Sequence, residues 1–328
     1  TLNGASTPKI GTTNNPWGVH IGGNVAYRTA AISDTKNSGS ITLNSGATIS
    51  SPLHLGGVCG YANNNISNCE NTGAIACNGT CSSTICMGGV VGYTSGDIES
   101  SNNNGPISTG KTATFVNYAR ISGVAGYSSK TITTAKNNAN GDITIEGNFE
   151  AQTHFGGIVS YYHNVLTSCE NHGDITFNAT TATDKALYIA GLVGEYYTSD
   201  NDTIVGTFTD CINTGDVALN ECTTSTGGIL INIAGLAGYT RKATTFTNCS
   251  NSGTISTAKS ININSEFSIG GLIGRADTTL TLDNCHNSMK TGKTYGIDIQ
   301  HTIKADAGSN RARVGGLIGW HCGGIITT

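Results

Sequence analysis

Residues 269–274 read Ile269-Gly270-Gly271-Leu272-Ile273-Gly274, and near copies of this hexapeptide recur along the chain. Counted by the apolar residue that opens each copy, they begin at Ile21, Leu55, Met87, Ile121, Phe155, Ile189, Ile233, Ile269 and Val314, in steps of 34, 32, 34, 34, 34, 44, 36 and 45 residues. A period in this range marks stacked units, each of which buries its apolar face only against its neighbours. The glycines let another backbone approach closely, and the Leu, Ile and Val between them favour a pleated strand. We therefore read the hexapeptide as one inner strand per repeat, stacked copy on copy into a parallel sheet with strands roughly 4.8 Å apart.

Each repeat continues through a second short strand and a turn, as in Ile66-Ser67-Asn68-Cys69-Glu70-Asn71-Thr72-Gly73-Ala74-Ile75, then a variable polar stretch that ends in strand-like sequence. The turn recurs as Asn37-Ser38-Gly39, Asn71-Thr72-Gly73, Asn171-His172-Gly173, Asn213-Thr214-Gly215 and Asn251-Ser252-Gly253. Asn and Gly tolerate positive φ, and stacked asparagines predict an amide ladder along one corner. No stretch shows capped helical periodicity, so helix is expected to be nearly absent. The fold this predicts is all-β: a right-handed parallel β-solenoid of about nine coils, each with three or four strands. A closed ring resembling a β-propeller is the alternative. Residues 1–20 form an N-terminal half-coil, 21–313 the eight-repeat solenoid and 314–328 a C-terminal half-coil. The longer repeats opening at Ile189 and Ile269 are expected to carry protruding loops.

Charged residues are 12% of the 328, and 45 glycines accompany abundant Ser, Thr and Asn. The regular apolar positions argue against disorder, because every repeat has surface to bury. A net charge of −4 without a basic cluster gives no electrostatic footprint for nucleic acid. No apolar run approaches the ~20 residues that span a membrane. The opening Thr1-Leu2-Asn3-Gly4 lacks an initiator Met and reads as a processed product or part of a longer chain. The 11 cysteines are an odd count. Cys69, Cys169, Cys211, Cys249 and Cys285 share one repeat position, two before the turn Asn, and fit a ladder of buried thiols better than a disulfide framework. Cys77 and Cys81 lie off that ladder and are close enough in sequence to close a short loop.

The segments Ala190-Gly191-Leu192-Val193-Gly194, Ala234-Gly235-Leu236-Ala237-Gly238, Gly270-Gly271-Leu272-Ile273-Gly274 and Gly315-Gly316-Leu317-Ile318-Gly319 resemble the GLUG motif repeat. The Asn-Thr-Gly-Asp-Val stretch at 213–217 is similar to the segment that follows that motif. The resemblance covers the repeat spacing from 21 to 319. Gly23-Asn24-Val25-Ala26 and Gly157-Ile158-Val159-Ser160 depart from it at their last residue. It implies a repetitive module of large secreted or surface-attached bacterial proteins, and it supplies no catalytic residues.

Several repeat positions carry possible chemistry. Tyr27, Tyr61, Tyr93, Tyr127 and Tyr161 occupy one position in consecutive repeats, followed later by Tyr239 and Trp320 and interrupted by Glu195 and Arg275. They suit either a stacked structural ladder or a platform for sugar rings. Lys36 and Glu70, and later Lys136 and Glu170, should pair side by side on adjacent coils. Asp142, Asp174 and Asp216 follow the turn Gly in consecutive repeats, and stacked carboxylates invite a cation such as Ca²⁺. His20, His54 and Cys86 lie just before the Gly-rich strand in successive repeats and could converge on a transition metal. Catalytic signatures are otherwise absent: there is no Gly-x-Ser-x-Gly elbow, phosphate loop or His-Glu-x-x-His.

The leading expectation is therefore a non-enzymatic structural protein with no cofactor, extracellular or at the cell surface, serving as a filament subunit or adhesin stalk. Its partners would be further copies of itself, surface glycans or host proteins. Head-to-tail assembly would use Thr1, Leu2, Asn3 and Gly4 at one end and Val314, Leu317, Ile318 and Trp320 at the other, with each half-coil completing the next subunit's stack. The rival is a carbohydrate-binding or polysaccharide-active β-helix, with Asp200, Asp202, Asp210, Lys304 and Arg311 on protruding loops as its candidate residues.

Overall fold

The computed structural model describes residues 9–10, 18–181, 185–197, 205–222, 230–259, 266–301 and 311–327. They form a parallel β-solenoid without a helix, so none is long and apolar enough to cross a membrane. Its wall has five parallel sheets, more than the three or four strands expected per coil. In the coil that begins at Leu53 the strands are Leu53–Gly56, Cys59–Ala62, Ile66–Ser67, Glu70–Asn71, and the pair Ile75–Cys77 and Thr80–Cys81. We call their sheets the opening, aromatic, short, asparagine and closing sheets. The opening, aromatic and short sheets each hold nine strands, the asparagine sheet eight and the closing sheet 12.

The glycine hexapeptide is not one strand. Leu53–Gly56 and Cys59–Ala62 belong to different sheets, and the chain bends between them at Gly57 and Val58. A Cβ on Gly56 would lie 2.0 Å from the Cys59 carbonyl oxygen, and one on Gly57 would lie 2.1 Å from that of Gly89. The second position is glycine in every repeat, whereas the first accepts the small side chains of Ser122, Ala190 and Ala234 in other coils. Glycine is needed for room, not for a left-handed backbone.

Positive φ appears elsewhere than expected. Asp34, Asn68, Ser100, Thr134, Ser168, Asp210, Asn248 and Asn284 all have φ between 48° and 53°. This column lies three residues before the turn asparagine and redirects the chain from the short sheet to the asparagine sheet. Side-chain hydrogen bonds link its members, including Asn248 Nδ2 to Asp210 Oδ1 at 3.0 Å and Ser100 Oγ with Thr134 Oγ1 at 2.9 Å.

The turn asparagines point inward and form the expected ladder. Asn37 Nδ2 donates to Asn71 Oδ1 at 2.8 Å, and the chain of amides continues through Asn103, Asn137, Asn171, Asn213 and Asn251 to Asn287. From Asn37 to Asn251 the same Nδ2 also donates to the glycine carbonyl of its own turn. These amides are buried, and each satisfied hydrogen bond avoids a desolvation cost of about 1–3 kcal/mol. The glycine corner presses inward onto this ladder and pinches the cross-section. One apolar core lies between the opening and closing sheets, and a second between the aromatic and short sheets.

The column of Cys69, Cys169, Cys211 and Cys249 is buried in the second core, while Cys285 in the last coil is partly exposed. Each thiol donates to the carbonyl two residues before it, as Cys249 does to Thr247 at 3.3 Å. Ser101 holds the equivalent place in its own coil, with Oγ donating to Glu99 O at 2.9 Å. Cys77 and Cys81 are buried free thiols in hydrogen-bond contact at 3.8 Å, with no disulfide between them.

Lys9–Ile10 pairs in parallel with Thr48–Ile49 of the same chain, whereas the strands from Ala312 to Thr327 lie at the opposite ends of their sheets. The sheets stay open, which rules out the closed ring. Of the expected assembly residues, Thr1–Gly4 lie outside the described residues. Val314 and Leu317 are 47% and 39% exposed on the last coil, with Ile318 and Trp320 half-buried beside them.

Candidate functional site

Two strands meet at the glycine corner, and their outward side chains form two facing columns. In the opening sheet Leu53 and Leu55 point into the core, so His54 points out. Strand register extends that column through His20, His54, Cys86, Arg120, His154, Tyr188, Asn232, Ser268 and Arg313. The aromatic sheet supplies Tyr27, Tyr61, Tyr93, Tyr127, Tyr161, Glu195, Tyr239, Arg275 and Trp320. Because the corner is drawn inward, the two columns form the walls of a groove running along the solenoid.

The first part of the groove is a ring stack. Tyr27, Tyr61, Tyr93, Tyr127 and Tyr161 stack with centroid separations of 5.3, 4.9, 4.4 and 5.9 Å, so the interior rings cover one another's faces. His20 and His54 stack at 5.0 Å with their Nδ1 atoms 3.0 Å apart, which requires one imidazole to accept and therefore to be neutral. Burial, then the nearby His20 and Arg120, lowers the His54 pKa to about 3. Cys86 is the next rung, and burial raises its thiol pKa. Among the described residues no three His, Cys, Asp or Glu side chains converge as a metal-ligand set, so the candidate residues His20, His54 and Cys86 do not come together as one. The aspartate column is already engaged: Asp142 Oδ1 accepts from Asp174 N, Asp174 Oδ1 from Asp216 N and Asp216 Oδ1 from Thr254 N, at 2.9, 2.7 and 2.8 Å. Lys290 also reaches Asp216 at 3.0 Å. These carboxylates tie one coil to the next and do not form a cation site.

Further along, the tyrosine stack gives way to a charged centre. Glu195 and His154 are each 1% exposed, with His154 Nε2 and Glu195 Oε2 2.6 Å apart. Gln152 Nε2 donates to the same oxygen at 3.1 Å, and Arg241 Nε donates to Oε1. Burial alone would raise the Glu195 pKa, but the His154 hydrogen bond and the charges around it leave it below the ordinary value. Burial lowers the His154 pKa despite that same contact. The carboxylate is thus ionised and the imidazole neutral near pH 7.

Arginines alternate with the remaining aromatics. Arg275 lies 5.0 Å from the Tyr239 centroid and 4.0 Å from that of Trp320, and Arg313 lies 3.5 Å from Trp320. Arg120 lies 4.3 Å from Tyr161, 5.4 Å from Tyr127 and 5.8 Å from Tyr118. Two adjoining clefts of about 360 and about 410 Å³ open here and share Tyr118, Gln152 and Arg241. The sequence could have pointed to this place. Arg120 and His154 continue the column that His20, His54 and Cys86 begin, and following it two repeats further would have found them. Glu195 was visible only as an interruption. Its partner Arg241 comes from the next coil and had no signal of its own.

Of the rival loop candidates, Asp200, Asp202 and Lys304 lie outside the described residues. Asp210 belongs to the positive-φ column and does not line the cleft. Arg311 does not line it either. No family model, curated protein or solved structure matches the chain.

Proposed function

We propose that this chain is a structural repeat module of the cell exterior, acting as a stiff filament subunit or adhesin stalk in the manner its GLUG-like repeats suggest. The observation that supports this most is the unbroken asparagine ladder from Asn37 to Asn287, which ties each coil to the next beneath the glycine corner. A stack joined through both backbone and buried side chains resists bending and local opening. Electron microscopy and concentration-dependent sedimentation of the purified protein test the assembly. Filaments that lengthen with concentration support a subunit, and monomers at every concentration leave only the stalk. Antibody labelling of intact producing cells tests the location, and a signal seen only after permeabilisation would overturn it.

A second reading, carbohydrate binding, has its own observation in the cleft beside Tyr118 and Arg120. Glycoside hydrolysis ordinarily uses two carboxyl groups, one of them protonated. Glu195 is the one carboxylate lining this cleft among the described residues, and its neighbours keep it ionised. Binding without turnover is the chemistry that favours.

A further inference from the structure

The arginines of the groove differ in one respect. Arg241 is paired with Glu195, Arg275 with Asp277 at 2.7 Å, and Arg313 lies 3.8 Å from Glu266. Arg120 has no carboxylate partner among the described residues, and its buried Nε has no hydrogen-bond partner. That Nε is enclosed and the guanidinium also meets the Cys86 thiol, but it lines the cleft over rings with no carboxylate to offset its charge, which suits an anionic ligand. The rim adds Lys185, while the nearest acid, Glu195, is already neutralised by Arg241. This cleft is therefore cationic within a chain whose net charge is −4.

The lips of the cleft indicate what carries that anion. Tyr118 stands just before the opening strand and is 43% exposed. Tyr197 stands just after the aromatic strand of a later coil, so the two rings flank the groove from opposite sides. Unlike the tyrosines of the stack, Tyr118 has no ring covering its face among the described residues. A ring with no aromatic partner, with Arg120 near one face and Gln152 and Asn117 alongside, suits a flat ligand with one apolar face and hydroxyls at its edge, and the volumes fall within the ~300–1,000 Å³ of small-ligand sites. A pyranose ring has that character.

We propose that this cleft binds a carboxylate-bearing sugar unit of an acidic glycan, with Arg120 holding the carboxylate and Tyr118 packing against the ring. The assignment rests on the binding reading of the cleft and adds the ligand class to it. His154 and Glu195, which also line the cleft, are bonded to each other, and Arg241 holds the second carboxylate oxygen, so the proposal is one of binding.

The test is calorimetric titration of the full chain with tetragalacturonate, a hyaluronan tetrasaccharide, an alginate tetramer and sialyllactose. Neutral galacto-oligosaccharide, polyglutamate and dextran sulfate serve as controls. At least one acidic sugar should bind, and the controls should not. Arg120→Gln should weaken that binding about tenfold or more, Arg120→Lys less, and Tyr118→Ala several-fold, while Arg28→Gln leaves it unchanged. Circular dichroism and thermal melting of each variant establish that it is folded. Tyr118→Ala removes an exposed ring, so it keeps the test informative if Arg120→Gln does not fold. Equal binding of the neutral sugar would overturn the anionic ligand and leave glycan binding standing. Equal binding of polyglutamate or dextran sulfate would reduce the site to non-specific charge attraction. Binding by none of the sugars would overturn both the ligand class and the binding reading.

Discussion

Gly57 and Asn71 occupy opposite walls of one coil yet meet at its centre: a Cβ added to Gly57 would fall 2.3 Å from Asn71 Cγ. The same approach recurs between Gly89 and Asn103 and between Gly191 and Asn213, at 2.3 and 2.2 Å. The absent side chain is what lets the amide ladder sit beneath the corner and divide the interior into two cores. Gly57→Ala must therefore displace either the backbone of the next coil or the buried amide. Overpacking of this kind costs about 1–3 kcal/mol, and the lack of a flexible neighbour puts this site near the upper end. Urea denaturation of the variant measures it, and an unchanged midpoint would show that the corner is softer than its geometry implies.

The cysteine column gives a second prediction. A hydroxyl in place of a buried thiol is costly without an acceptor, but Ser101 already shows the acceptor that this position provides. Cys249→Ser should thus cost no more than about 1 kcal/mol. Native thiol labelling should be fast at exposed Cys322 and slow at Cys69, Cys169, Cys211 and Cys249 until denaturant is added. Rapid native labelling of those four would contradict their inward placement.

Thr134 holds φ at 52° although it is β-branched, whereas Asn68 and Asn248 hold 53° at the same repeat position. Left-handed backbone costs a non-glycine residue roughly 1–2 kcal/mol, and asparagine tolerates it better than threonine. Thr134→Asn should raise stability by about 0.5–1 kcal/mol while leaving a side chain able to bond Ser100. A lowered melting temperature would count against the strain argument.

Acid should weaken the fold in a definite window. The folded-state pKa of His54 is about 3, and burial also lowers that of His154, against about 6.5 for an unfolded histidine. Between those values the unfolded chain binds the extra proton, so their stabilising contribution is complete above pH ~6.5 and is lost as pH falls toward the folded values. Glu195, also lowered, adds a loss that begins below its ordinary carboxylate pKa. Each histidine contributes a slope of up to about 1.4 kcal/mol per pH unit. Urea midpoints taken from about pH 7 to about pH 4 should fall, and His54→Asn should make that fall shallower. An identical slope in the variant would remove His54 as a cause.

The sequence by itself determined the stacking. A period near 34 with one glycine hexapeptide per repeat demanded parallel coils in register, and register then placed every repeat position in a column. The asparagine ladder, the cysteine column, the tyrosine stack and the Lys36–Glu70 and Lys136–Glu170 pairs at 2.8 and 2.9 Å all follow from that spacing. The tertiary structure decided which way the chain turns between columns. Gly-Gly reads locally as strand, and it becomes a corner because Asn71 and the next coil press against it, a contact no stretch of sequence displays. Positive φ fell on Asp34 and its counterparts, at the bend from the short sheet to the asparagine sheet, and not on Asn37, which lies in a strand with its amide in the ladder. The cleft was hidden for the same reason. Arg120, His154, Glu195 and Arg241 come from four successive coils, and only the inward bend of the corner turns their outward-facing columns toward one another.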